Sequence, residues 1–552
     1  GACSDAAKSR SWSYACLKKI RSDLKNAFCP NPETDMQPIG VMLERTARKH
    51  PEKVAIVFED AALSFAELNE TTNRLAGGLK NLGIKKGDRV MVQLTNGPEI
   101  IMAHYAIIKA GGIVVPLNVM YLSHEIRYIG KDTGAETVIL DSSFLHLVDE
   151  VRSDLSDLKH IVVTGESVPP SMLRFEDLIS GSPEQHEPAD VSLDDIVSII
   201  YTSGTTGQPK GTLHGHRLLP GILPGFEFYH NLFPKEGDLL WTPLDWAYIG
   251  GSYDALFPTL HHGCPVLAYR PRKFDPEKAF YMMAKHRVKN LMIVPTALRM
   301  MMHAVGRPRE HHDLQLRSIT AGGETLGEAL SDWTREHLGV EINEQYGQTE
   351  CDLVVGFCSE VMNTVPGAIG RAVPGHVVEV IDEDGRVLKC GELGEIAIKS
   401  PDPVMFLEYW QNPQATRDKF IGEWFRTGDY GRKDEDGHFW FSGRQDDIIE
   451  SGGFRIGPGE VEACLMKHRD VALVGVIGVP DPIRGEIVKA FILPKAGVTP
   501  DVVLAESIKE HVKKRLEAHA YPREVVFIKK MPMTKTGKIL KHELRRMHET
   551  GL

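Results

Sequence analysis

Tyr201-Thr-Ser-Gly-Thr-Thr-Gly-Gln-Pro-Lys-Gly211 follows directly on the apolar run Ile196-Val-Ser-Ile-Ile-Tyr201. A strand that empties into a loop dense in Gly, Ser and Thr presents backbone N–H groups and hydroxyls to a single anion, which is what a triphosphate requires. The loop is not of Walker A type. Counted from Gly204, the second glycine of that pattern belongs at 209, where the chain has Pro209. Read alone, the segment also suits a glycine-rich surface turn.

The flanking sequence supplies the architecture. Upstream, Arg89-Val-Met-Val-Gln93 and Gly112-Ile-Val-Val-Pro116 read as strands around a helix from about Pro98 to Lys109, a βαβ unit. Thr137-Val-Ile-Leu140, His160-Ile-Val-Val163 and Asn290-Leu-Met-Ile-Val294 continue the alternation. A helix opening at Leu63 and reaching about Leu82 carries the capping-box pair Ser64 and Glu67. The fold class expected is α/β: a large N-terminal domain of parallel and mixed sheets covered by helices. Downstream, Asp434-Glu-Asp-Gly437 is a turn signal, Phe439-Trp-Phe441 a short strand and Gly443-Arg-Gln-Asp-Asp447 a polar, flexible joint. These signals divide the chain into a lead-in segment 1–35, a large domain 36–445 and a small domain 446–552.

Length and composition agree. The 552 residues are 42% apolar and 25% charged, ordinary globular usage with ample material for a large core. A net charge of −11 gives no reason to expect nucleic acid or an anionic membrane as partner. No stretch of about 20 apolar residues suggests an integral membrane span. The eight cysteines, at 3, 16, 29, 264, 351, 358, 390 and 464, form no C-x-x-C pair and read as reduced thiols in a cytoplasmic setting. His214-x-His216, His261-His262 and His311-His312 lack a third ligand at metal-site spacing and read as core or solvated histidine.

Seven further strings follow in order: Lys109-Ala-Gly-Gly112, Ala321-Gly-Gly-Glu324, Tyr346-Gly-Gln-Thr-Glu350, Trp424-Phe-Arg-Thr-Gly-Asp429, Gly443-Arg-Gln-Asp446, Gly452-Gly-Phe-Arg455 and Pro532-Met-Thr-Lys-Thr-Gly-Lys538. With the loop at 201–211, this set resembles the adenylate-forming enzymes: acyl-CoA synthetases, peptide-synthetase adenylation domains and luciferases. The resemblance implies ATP and coenzyme A as co-substrates, Mg2+ as metal and a small-molecule carboxylic acid as substrate. It also implies a β-subdomain completing the large domain and a mobile α+β C-terminal domain.

By that resemblance, Thr202, Ser203, Gly204, Thr205, Thr206, Gly207 and Lys210 bind the phosphates, and Gly323, Glu324, Thr325, Glu344, Gln345, Tyr346, Gly347 and Gln348 surround the base. Thr349 bonds the α-phosphate, Glu350 holds Mg2+, and Asp429 takes the ribose hydroxyls with Arg444 assisting. Lys538 is implied as the cation that drives adenylation, Asp446 as the hinge. Gly452, Gly453 and Phe454 then border the thiol's path, while Arg455 and Arg484 meet CoA phosphates. Relatives acetylate the lysine matching Lys538, which implies regulation by an acetyltransferase and a deacetylase.

The acyl pocket departs from the acetate-activating pattern. Asp245-Trp-Ala-Tyr-Ile-Gly-Gly251 aligns with the acid-binding stretch, placing Tyr248, Ile249 and Gly250 at the pocket. Gly347 stands where the acetate enzyme has a pocket-blocking tryptophan, and Gly250 and Gly322 replace its threonine and valine. Space for several methylenes, each contributing roughly 0.8 kcal/mol on burial, points to an acid larger than acetate: medium-chain, branched or aryl. Gly250 also leaves no carboxylate for a substrate ammonium, which disfavours amino acids. The alternatives are transfer of the acyl group to a carrier protein, and a non-catalytic nucleotide-binding relative.

Overall fold

The strand Ile196–Thr202 turns back as Lys210–Gly215, Thr202 opposite Lys210, at one edge of a seven-stranded sheet. The computed structural model describes residues 36–551 except 166, 183–186, 203–208, 270–272, 325, 452–453, 483, 517–519 and 534–538. The remaining strands of this sheet run parallel in the order Leu173–Arg174, His160–Thr164, Thr137–Asp141, Arg89–Gln93, Ile113–Pro116 and Ile196–Thr202. Both faces are covered, so these strands read as apolar runs without alternation.

The expected βαβ unit is present. Its helix Pro98–Ala110 is buried along its whole length, starts with Pro98 in its first turn and stops at Gly111, whose φ of 84° only glycine adopts at little cost. Lys109, fully buried, donates to Asn73 Oδ1 at 2.6 Å, Asn69 Oδ1 at 2.7 Å and Glu44 Oε1 at 3.3 Å. The Lys-Ala-Gly-Gly string thus ends its own helix and ties it to the helices Ile39–Lys49 and Phe65–Asn81. Ser64 and Glu67 form the expected capping box, on the helix Phe65–Asn81.

A second sheet of 14 described strands carries most of the remaining motifs. Val54–Phe58, Val266–Leu267, Leu240–Trp241, Asn290–Met292, Ser318–Gly322 and Ile342–Gln348 run parallel. From Asp352–Gly356 onward the pairing is antiparallel, through Gly370–Ala372, His438–Arg444, Trp424–Lys433, Gly394–Lys399 and Val378–Ile381. The expected β-subdomain therefore prolongs the parallel sheet.

After Asp447 a separate five-stranded sheet forms, with Ile449–Ser451 and Phe454–Ile456 as a hairpin beside Gly485–Pro494 and Val471–Asp481. Residues 443–447 are more ordered than a flexible joint. Gly443 and Arg444 belong to the strand His438–Arg444, and Gln445–Asp447 is a 3-10 turn. Glu460 accepts from Ser442 Oγ at 3.0 Å and Lys467 pairs with Glu328 at 2.6 Å, joining the small domain to the large one. Among the described residues no helix is long and apolar enough to cross a membrane.

Candidate active site

Three clusters of polar side chains lie on or beside the strand Ile342–Gln348. At its C-terminal end the Tyr346 hydroxyl donates to Asp429 Oδ2 at 2.8 Å, and Gln348 Nε2 reaches the same oxygen at 3.3 Å and the Thr427 carbonyl at 3.1 Å. Asp429, 3% exposed, stands opposite Arg444 in the strand pair, with Arg444 Nε 3.1 Å from Oδ1. Tyr346 and Gln348, two of the expected base residues, and Asp429 thus form one hydrogen-bonded group spanning 83 positions of sequence, with Arg444 ion-paired to it. Asp429 sits where the chain turns its backbone: Gly428 has φ 79°, and Thr427 Oγ1 accepts from the Asp429 N–H at 3.0 Å.

The second cluster begins one turn on. Thr349 and Glu350 occupy the reversal between Ile342–Gln348 and Asp352–Gly356. Glu350 Oε1 accepts from the Tyr409 hydroxyl at 2.6 Å, and the Tyr409 ring lies under Lys210, whose Nζ is 5.2 Å from its centroid. Burial, with the Glu350 carboxylate beside it, raises the Tyr409 phenol far above its ordinary value, so it remains a donor. Tyr409 was not found in the sequence; an aromatic in Glu408-Tyr-Trp410 carries no signal that it faces a carboxylate 59 residues away.

The third cluster holds the base-binding loop that follows Ser318–Gly322. Glu324 Oε2 accepts from Thr296 Oγ1 at 2.6 Å and from Arg299 Nη2 at 2.8 Å, and Arg299 Nη1 donates to the Leu326 carbonyl at 3.3 Å. The Glu324 carboxylate therefore fastens its loop to the helix Pro295–Ala304. Gly323 beside it has φ 82°. Burial pushes the Glu344 carboxyl up to about 8.

The acid-binding stretch is strapped to the first sheet. Asn96 donates from Nδ2 to the Leu244 carbonyl at 2.7 Å and accepts at Oδ1 from the Trp246 N–H at 3.0 Å, while Asp245 Oδ2 accepts from the Val119 N–H at 3.3 Å. Tyr248 is 39% exposed, Ile249 opens the short helix Ile249–Gly251, and a π-helical segment Ser252–Leu256 follows. A Cβ on Gly250 would meet only ordinary contacts, Leu244 Cδ1 at 3.6 Å, Asp254 Oδ2 at 3.7 Å and Met292 Cε at 3.8 Å. Burial and the adjacent Asp352 carboxyl raise Asp254 well above the usual carboxylate range, favouring its neutral form.

The other two pocket glycines have a different origin. A Cβ on Gly347 would overlap the Asp352 carbonyl, at a register shift between Tyr346 and Gly347, and one on Gly322 would overlap the Gln345 carbonyl. In this backbone a side chain at either position requires the facing strand to shift. The expectation that a tryptophan at 347 would simply fill a pocket is thereby corrected: any side chain there displaces the strand. Gly250 is the position at which pocket size can be varied. Gly250→Val is expected to shift preference toward shorter acids by about tenfold in kcat/KM per two methylenes lost. An unchanged chain-length profile would place the acid elsewhere.

Several expected residues lie outside the described ones: Ser203, Gly204, Thr205, Thr206 and Gly207 of the phosphate loop, Thr325, Gly452, Gly453 and Lys538. Thr202 and Lys210 flank the loop as a register pair. Phe454, 52% exposed, heads its strand opposite Ser451, and Ser451 also pairs with Gly485, so Arg484 stands beside the same hairpin end. Arg455 pairs through its backbone with Glu450. Cys351 and Cys358 are wholly buried, and burial raises both thiols. His214 and His216 are buried too, as expected, and no group of three or more potential metal ligands occurs among the described residues.

An α/β body, a group of donors and acceptors brought together from three strands, and a small trailing domain agree with the motif order of an acid-activating ligase. Residues 43–410 match the family model of the AMP-binding enzymes and residues 460–538 that of their C-terminal domain. The chain belongs to this family of adenylate-forming acid–thiol ligases. It is 33% identical over 511 residues to an uncharacterised acyl-CoA ligase of Bacillus subtilis, YtcI, covering 90% of this chain and 94% of that one. With the mitochondrial acyl-coenzyme A synthetase ACSM3 of Rattus norvegicus it shares 32% identity over 494 residues, 88% of this chain and 84% of the other. The solved structure of the anthranilate CoA ligase AuaEII in complex with anthranoyl-AMP superposes with a TM-score of 0.84 at 29% identity, covering 93% of this chain and 98% of that one.

Proposed function

We propose that the protein joins an organic acid larger than acetate, medium-chain, branched or aryl, to coenzyme A in two steps through an acyl-adenylate. The observation that carries this reading is that Tyr346 and Gln348 of the strand Ile342–Gln348 join Asp429 and Arg444 in one group, while Glu350 in the turn after that strand joins Tyr409 and Lys210 in another. One group suits a ribose, the other a phosphate chain. A Cβ on Gly250 would be in ordinary contact with Leu244, Asp254 and Met292, and anthranoyl-AMP in the superposable ligase makes an aryl acid a natural member of the class.

In the first step the carboxylate attacks the α-phosphorus and pyrophosphate departs. Two anions must meet, so the chain's part is to neutralise charge and hold the pair in line. Thr349 takes an α-phosphate oxygen, Lys538 bridges the attacking carboxylate and the α-phosphate, and Asp429 anchors the ribose. Glu350 fits Mg2+: its carboxylate is a hard oxygen donor with one oxygen already oriented by Tyr409. When bound there, the ion would neutralise phosphate charge. In the second step the small domain, residues 446–552, turns about Asp446 relative to residues 36–445. Gly452, Gly453 and Phe454 then border the thiol, and Arg455 and Arg484 receive CoA phosphates. Acetylation of Lys538 would remove its charge and halt the first step. A cytoplasmic location accords with unpaired thiols at Cys264, Cys351, Cys358, Cys390 and Cys464.

A panel of carboxylic acids assayed for CoA-dependent AMP release tests the reading. Release is expected with acids of about six to ten carbons or with benzoate-like acids, and at least tenfold less with acetate. If no acid releases AMP, the reading fails. If acyl-adenylate forms but free CoA does not accept the acyl group, a carrier protein replaces CoA.

A further inference from the structure

Glu350 and Lys210 stand on different sheets, yet one side chain touches both. Tyr409 belongs to a segment stitched to each side. Trp410 N donates to the Gly211 carbonyl at 2.7 Å, Leu407 N to the Leu213 carbonyl at 2.8 Å, Leu213 N to the Glu408 carbonyl at 2.9 Å, and Phe406 N to the Glu350 carbonyl at 2.8 Å. Tyr409 itself is 3% exposed, donates from its backbone N–H to Thr416 Oγ1 at 2.9 Å and packs edge-on against Phe406 at 5.0 Å. Its ring cannot turn away without breaking these contacts.

We propose that Tyr409 is a positioning residue that fixes the Glu350 carboxylate and the Lys210 ammonium relative to each other, presetting the site for a triphosphate carrying a divalent cation. A glutamate side chain loses considerable rotamer freedom on meeting a cation, and a hydrogen bond made beforehand removes part of that cost. The hydroxyl engages Oε1, leaving Glu350 free to use its remaining lone pairs, while the ring face supports the lysine by cation–π attraction. The two halves of the side chain thus have separable roles.

The proposal rests on Glu350 as the metal ligand, which Glu350→Gln tests separately. ATP is titrated calorimetrically into the full chain, once with EDTA and once with Mg2+, and the Mg2+ dependence of acid-driven ATP–pyrophosphate exchange is measured alongside. Tyr409→Phe keeps the ring and loses the hydroxyl. It is expected to lower the Mg2+ enhancement of ATP affinity about tenfold, to raise the half-activating Mg2+ concentration about tenfold, and to leave the affinity in EDTA unchanged. Tyr409→Leu, which also removes the ring, is expected to weaken ATP in EDTA as well. A wild-type Mg2+ response in Tyr409→Phe overturns the proposal, as does an equal loss with and without Mg2+. If Glu350→Gln leaves the Mg2+ response intact, the metal assignment fails and this proposal with it. If Glu350→Gln abolishes the response and Tyr409→Phe does not alter it, the tyrosine proposal alone fails.

Discussion

Lys538→Ala is expected to slow acyl-adenylate formation by about a thousandfold, the scale on which a single preorganised charge contributes to a transition state. Thioester formation from chemically supplied acyl-adenylate should persist within a few-fold, because the proposed role of Lys538 belongs to the first half-reaction. Single-turnover assays of the two half-reactions separate the outcomes, and equal loss in both would contradict the assignment. The basis is the resemblance of Thr536-Gly-Lys538 to the family's lysine motif, joined to the need of mixed-anhydride formation for a cation between two oxyanions.

Asp429→Ala is expected to weaken ATP by roughly a hundredfold. Two ribose hydroxyls bonded to one carboxylate account for about 3 kcal/mol, since hydrogen bonds to charged groups contribute about 1.5–3 kcal/mol each. The substitution also strips partners from Tyr346, Gln348 and Arg444. Asp429→Asn separates the two effects, because its amide oxygen still accepts from one neighbour. Equilibrium binding of ATP and of 2′,3′-dideoxy-ATP checks the origin: the wild type should discriminate strongly between them and Asp429→Ala hardly at all. Equal discrimination in both proteins would remove Asp429 from the ribose site.

Much of this organisation is legible in the residues. The run Ile196 to Tyr201 reads as a buried strand because both of its faces are covered, whereas the loop after it suits an anion or a surface turn until the other motifs are set beside it. Ser64 and Glu67 announce a helix start that the backbone then makes. Sequence fails where the partner is remote or where backbone proximity sets the residue. Tyr409 touches Glu350 only because its segment crosses between two sheets, and no local pattern encodes that crossing. Gly347 reads as an emptied pocket wall, whereas the close approach of Asp352 is what requires it. The stretch Gly443–Asp447 is polar and rich in turn formers, and so reads as slack. Pairing of Arg444 with Asp429 overrides that composition.

Anchorage on either side of Gln445 has a mechanical consequence. Arg444 is ion-paired with Asp429, whereas the Asp446 carbonyl and Asp447 Oδ1 are gripped by Arg545 Nη2, at 2.8 and 2.6 Å, from the helix Lys541–Glu549. A pivot at Asp446, as proposed, would have its stator and its rotor defined within the four residues 444–447. Torsion confined to so short an axle would swing the thiol-side arginines over a wide arc while the sugar stays gripped, so the reactive anhydride need not be surrendered to bulk water between half-reactions.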